Sequence, residues 1–188
     1  MHSLAGTVVV ATLSYLGTMF DNFFAFAAQL VVTEPQRHRR VGWSQVTGVA
    51  TLIIIAASIG SALSTVPLRV VGLLCIAPWA LAVRAWRHRS QTTTQQFRRG
   101  ALATFAITLM LGGDNIAVWI PLLRASGGWH AFVTIVTFAL WESIFVRSAQ
   151  ALAAHPRVIG WGNDHTAQVI PWVYVGLGFL ILLDCGTL

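Results

Sequence analysis

Six runs of mostly apolar residues divide this chain, and their length decides what it can fold into. They extend from Leu4 to Val32, Gly42 to Leu63, Leu68 to Val83, Ala101 to Leu123, Trp129 to Val146 and Gln168 to Leu183. A helix that crosses a bilayer needs about 20 such residues to span a hydrocarbon layer about 30 Å thick. A water-soluble globule is excluded, because 56% of the 188 residues are hydrophobic and 10% charged, where soluble domains carry about 25% charged residues. A mean hydropathy of +0.70 leaves more apolar surface than one core can hide, so most of it must face lipid. The reading is an all-α integral membrane protein with six transmembrane helices.

Between the third and fourth runs lies one long polar stretch, Arg84 to Arg99, with three threonines and several glutamines at its centre. It reads as a solvated linker over 84–99, joining a first three-helix unit, 1–83, to a second, 100–188. Ala25-Phe26-Ala27 resembles a signal-peptide cleavage site, but a positive leading region is missing and Asp21-Asn22 interrupts the apolar stretch.

Every basic side chain is arginine, and its distribution sets the orientation. Arg37, Arg39, Arg40, Arg84, Arg87, Arg89, Arg98, Arg99, Arg147 and Arg157 fall in loops on one side of a six-span chain, with Arg69 and Arg124 on the other. The positive-inside rule then predicts that both termini face outside. This accounts for the net charge of +6 without a nucleic-acid partner. Trp43, Trp86, Trp129 and Trp172 sit near segment ends as interfacial anchors do, whereas Trp79, Trp119 and Trp141 lie deeper and are expected to pack.

Asp21-Asn22 in the first run recurs as Asp114-Asn115 in the fourth, 93 residues later and almost half the chain apart. Two three-helix repeats follow. An odd number of spans per repeat makes the second enter the membrane from the opposite face, an inverted arrangement common in secondary transporters, with substrate held at the repeat interface near the midplane. Three acids, Asp21, Asp114 and Glu142, lie inside apolar runs, where a charge costs about 2.5–3.5 kcal/mol on the most lenient scale. Hydrogen bonds to neighbouring helices could satisfy any one of them. Glu142, alone in Trp141-Glu142-Ser143, is the weaker member of the set.

Gly112-Gly113 before Asp114, Pro121 after it and Gly17 before Asp21 weaken helical hydrogen bonding, which at membrane depth is tolerated beside protein or a polar cavity. Close helix packing is the other use of such glycines. Two carboxylates and two amides suit a divalent cation, the charges balancing it and the amide oxygens replacing water. A proton and a metal ion competing for the same oxygens would give exchange.

At these residues the sequence resembles the CadD family of cadmium resistance transporters, within the wider LysE-like superfamily of six-helix exporters. The resemblance spans nearly the whole chain. Gly113-Asp114-Asn115-Ile116-Ala117-Val118-Trp119-Ile120-Pro121 is similar to the family's fourth-helix signature, with Asp21-Asn22 its partner in the first helix. Weaker support comes from Gln45-Val46-Thr47-Gly48, from Gly72 to Pro78, and from Tyr174-Val175-Gly176-Leu177-Gly178. The resemblance implies efflux of cadmium, or of zinc or another divalent ion, across the plasma membrane of a prokaryote. The site it implies is Asp21, Asn22, Asp114 and Asn115, to which depth adds Glu142. The metal is substrate and no cofactor is expected. The expected partners are the metal ion, protons and lipid, with room for a homodimer.

Other chemistry has little support. The six histidines, His2, His38, His88, His130, His155 and His165, lie in loops or at segment ends, and none pairs with another at zinc-site spacing. No phosphate-binding loop is present. An intramembrane aspartyl protease would need a Gly-x-Gly-Asp pattern, and position 111 is leucine. A LysE-type amino-acid exporter is the nearest rival. Cys75, near the middle of the third run, could offer cadmium a thiolate, although a thiol in apolar surroundings is usually inert; Cys185 reads as a small hydrophobe.

Overall fold

A computed structural model describes residues 3–67, 70, 76–87, 100–155, 157, 172, 175–179 and 183, the side chains at 21, 77, 78, 81 and 85 apart. Among them the elements are helical. They are α1 (Leu4–Thr18), α2 (Phe20–Val31), α3 (His38–Ala62), α4 (Ile76–Arg87), α5 (Ala101–Leu111), α6 (Gly113–Ser126) and α7 (Gly128–Leu152), with single 3-10 turns at either end of α3. Ser3 caps α1 by accepting from the Gly6 N–H at 3.1 Å. α4 runs on through Arg84 to Arg87 and so takes up the first turn of the polar stretch. The rest of that linker, most of the third and sixth runs, Cys75 and Cys185 lie outside the described residues.

Two helices are long and apolar enough to cross a bilayer unaided, the one over Pro35–Thr65 and the 25-residue α7. Two more candidates are bent pairs. α1 turns into α2 through 54°, and α5 into α6 through 60°. The described residues therefore hold two to four candidate spans. The first and fourth apolar runs are each two helical halves, with the fourth reaching Ser126, three residues beyond the expected limit.

The burial pattern is that of a protein in lipid. Ile54, Leu102, Met110 and Leu140 are exposed, while Gln29, Gln45, Asn115, Thr134 and Glu142 are buried. Polar groups at membrane depth need partners that hydrocarbon does not supply, so they face the protein interior. Trp43, Trp129 and Trp172 are exposed and Trp119 is wholly buried, dividing anchors from packing residues as the segment positions predict.

Each bend is made by a different local means at an equivalent place. Met19 sits at the first and Gly112 at the second, 93 residues apart. At both, the backbone ladder continues through the bend residue: Met19 N–H donates to the Tyr15 carbonyl and Phe23 N–H to that of Met19, as Gly112 does to Thr108 and Ile116 to Gly112. Gly112 is required by packing, since a Cβ there would strike Leu52 and come within 2.9 Å of the Thr108 carbonyl. Gly17 does not form the bend; it lies two residues earlier, inside α1.

Packing exchanges the halves. α3 packs along α5 and α6, and α7 along α1 and α2. The loop ends sort onto two faces. Arg124 donates from Nε to the Leu63 carbonyl at 3.0 Å and from Nη2 to that of Ser64 at 2.8 Å, which joins the end of α6 to the end of α3. At the other face His38 Nε2 lies 3.0 Å from the Leu30 carbonyl, and Gln150 Nε2 donates to the His38 carbonyl at 3.4 Å.

Candidate metal site

The site is built where the two bends meet. α1 and α6 cross antiparallel: Met19 lies against Asn115 and, one turn further along each helix, Tyr15 stacks on Trp119 with ring centroids 6.2 Å apart and planes within 9°. Trp119 Nε1 donates to the Thr18 hydroxyl at 3.2 Å, and that hydroxyl donates to the Ser14 carbonyl at 2.9 Å. These contacts fix the rotation of both helices.

At the crossing, two amides converge on one sulfur. Asn22 Nδ2 donates to Met19 Sδ at 3.5 Å and Asn115 Nδ2 donates to the same atom at 3.2 Å. Thus the structure brings the two asparagines of the repeated motif together, through a residue that neither motif contains. Met19 is 1% exposed and Asn115 0%. Asn115 Oδ1 has no hydrogen-bond partner among the described residues. A buried acceptor left in that state costs about 1–3 kcal/mol.

Asp114 sits in the first turn of α6, partly buried, where its Oδ1 accepts from the Asn115 N–H at 2.9 Å. That end of a helix carries partial positive charge, which favours a carboxylate. Asp21 is the second residue of α2 and so holds the matching place after the first bend; its side chain lies outside the described residues. Among the described residues, no three His, Cys, Asp or Glu side chains form a metal-holding group.

Glu142 stands one turn away from this crossing rather than in it. Its Oε2 accepts from the Tyr15 hydroxyl, and both residues are buried. Phe138 packs on both Tyr15 and Trp119, at centroid distances of 5.5 and 4.9 Å. Carboxyl, phenol, indole and phenyl rings thus fill one side of the site.

The other side is partly polar. A gap of about 10 Å³ is lined by four polar side chains, Asn22, Gln29, Gln45 and Thr108, and four apolar ones, Ala25, Phe26, Ile107 and Leu111. There the Thr108 hydroxyl donates to Gln45 Oε1 at 2.5 Å, and Gln29 Nε2 donates to the Thr104 hydroxyl at 2.7 Å. Adding or subtracting 93 turns Gln45 into Phe138, Thr108 into Tyr15 and Phe26 into Trp119. At two of these three equivalent pairs a polar side chain, Gln45 or Thr108, stands on one side where a ring, Phe138 or Tyr15, stands on the other. Gly48 permits the close approach behind Thr108, because a Cβ there would lie 2.8 Å from Thr108 Cγ2.

Sequence reading did not find Met19, Tyr15, Gln45 or Thr108 as site residues. Gln45 stands within a motif of interest and, as a polar residue in an apolar run, is expected to face inward; nothing in the sequence pairs it with Thr108, and Met19, two residues before Asp21, carries no such signal.

Buried polar groups between bent helices with apolar outer faces define a multi-pass membrane protein with an internal polar site. A family description narrows the class: the sequence pattern of the cadmium resistance transporters matches residues 15–188, and the chain belongs to that family. No curated protein and no solved structure matches it.

Proposed function

We propose that this chain exports cadmium, with zinc a secondary substrate, across the plasma membrane of a prokaryote in exchange for protons. Family membership supplies cadmium resistance transport. The observation that carries the site is the convergence of Asn22 and Asn115 at the crossing of two bent helices. Asp21 and Asp114 each stand beside one of these asparagines in sequence, so both carboxylates are available to balance a dication, while amide oxygens replace its water. Glu142 contributes through Tyr15 rather than as a ligand.

The proposed architecture has six spans in two inverted repeats, 1–83 and 100–188, joined by a cytoplasmic linker over 84–99, with both termini outside. Its support is the shared offset of 93 between the two bends, between the two asparagines, and between the contacts Gln45–Thr108 and Tyr15–Phe138. In such a transporter the site is reached alternately from each face. The side lined by Gln45 and Thr108 is then the one that opens, and the ring cluster the one that stays closed.

The test is cadmium efflux from a metal-sensitive host expressing the chain, compared with zinc, manganese and lysine. Cadmium and zinc should leave faster than from the empty host. Lysine export without metal protection would favour the amino-acid exporter instead.

A further inference from the structure

We propose that Met19 Sδ is a direct ligand of the transported ion and sets its preference for a soft cation; this rests on the site proposed above. Three observations lead there. Met19 is buried at the bend between α1 and α2, with its sulfur against Asn22 of α2 and Asn115 of α6. It receives two amide donors, at 3.5 and 3.2 Å, although a thioether is a poor acceptor. Beside it, Asn115 Oδ1 is 0% exposed with its residue and has no partner among the described residues.

A methionine kept only for packing would meet apolar neighbours rather than two buried amide N–H groups. Here, instead, amide N–H groups hold the thioether in place when no ion is bound, and the oxygen of one of those amides, Asn115 Oδ1, has no partner among the described residues. An arriving ion takes the sulfur lone pair and that oxygen together. Neutral sulfur leaves the charge balance to the two aspartates, so two acids still match one dication. Soft sulfur ligands favour soft ions, whereas carboxylate and amide oxygen alone suit magnesium, calcium and manganese. Among the described residues no cluster of histidine, cysteine and acid is available to make that choice.

The chain has three methionines, Met1, Met19 and Met110, and Met110 faces outward with 82% exposure. This makes a spectroscopic test decisive. Selenomethionine protein, with Cys75→Ser and Cys185→Ser so that no thiol competes, is purified, loaded with cadmium and measured by X-ray absorption at the cadmium edge. A selenium neighbour in the parent that disappears in Met19→Leu is the expected result. In vesicles, Met19→Leu should lower the preference for cadmium over zinc by about tenfold while zinc still moves. No selenium neighbour, one that survives Met19→Leu, or an unchanged preference overturns the proposal. Asp114→Asn separates the two readings: if it binds cadmium like the parent while selenium is still seen, the carboxylate site fails and the thioether stands. If it abolishes binding and the parent shows no selenium neighbour, the thioether alone fails.

Discussion

The Tyr15 hydroxyl donates to Glu142 Oε2 across 127 positions of sequence, inside the packed half of the site. This bond ties α1 to α7 at the turn next to the helix crossing and gives the buried carboxyl its one partner among the described residues, since Glu142 Oε1 has none. Tyr15→Phe keeps the ring stack on Trp119 and leaves the carboxyl unsatisfied. A buried acceptor left without its partner costs about 1–3 kcal/mol, so detergent-solubilised Tyr15→Phe should unfold correspondingly earlier. Glu142→Leu combined with Tyr15→Phe should be more stable than the sum of the single changes, because neither partner is then orphaned. Strict additivity would show that the bond contributes nothing.

Asp21→Asn and Asp114→Asn should each abolish cadmium efflux from vesicles, and to a similar degree. Each keeps its side-chain size and removes one of the two charges that balance the ion. Normal transport by both variants would refute the site.

The side lined by Gln45 and Thr108 and the ring cluster differ in access. In membranes, Thr108→Cys should react with a small impermeant thiol reagent, in a background of Cys75→Ser and Cys185→Ser, whereas Tyr15→Cys should react slowly. Both residues are buried, but Tyr15 lies under Trp119 and Phe138 whereas Thr108 borders the gap beside Gln45. Equal rates at the two positions would remove the distinction between an open and a closed approach.

Gly48→Ala introduces a Cβ 2.8 Å from Thr108 Cγ2 and 2.9 Å from Thr108 Cβ. Overpacking of this kind costs about 1–3 kcal/mol. Thermal unfolding in detergent should register the loss, and Thr108→Ser, which removes Cγ2 and keeps the hydroxyl facing Gln45, should recover part of it.

Orientation is tested by single cysteines at Thr93 and Ser126 in the same thiol-free background. Ser126→Cys should label from outside, as should the neighbouring turn that ends α6, and Thr93→Cys from the cytoplasm only. Labelling of Thr93→Cys from outside would reverse the topology.

Composition and pattern alone determined that this is a helical membrane protein, because the length of an apolar run and the depth of an acid within it are properties of the linear chain. The Asp-Asn pairs, the glycine break at Gly112 and the division of tryptophans into anchors and packing residues were legible for the same reason. Tertiary structure decided the rest. That Met19 lies between Asn22 and Asn115, that Tyr15 meets Glu142, and that Gln45 meets Thr108 where Phe138 meets Tyr15 all depend on how two bent helices cross and how each is rotated about its axis. Hydropathy carries little of that rotation in a membrane, since lipid and protein interior are similarly apolar; a polar residue marks the inward side of its helix but not which residue of a neighbouring helix it meets.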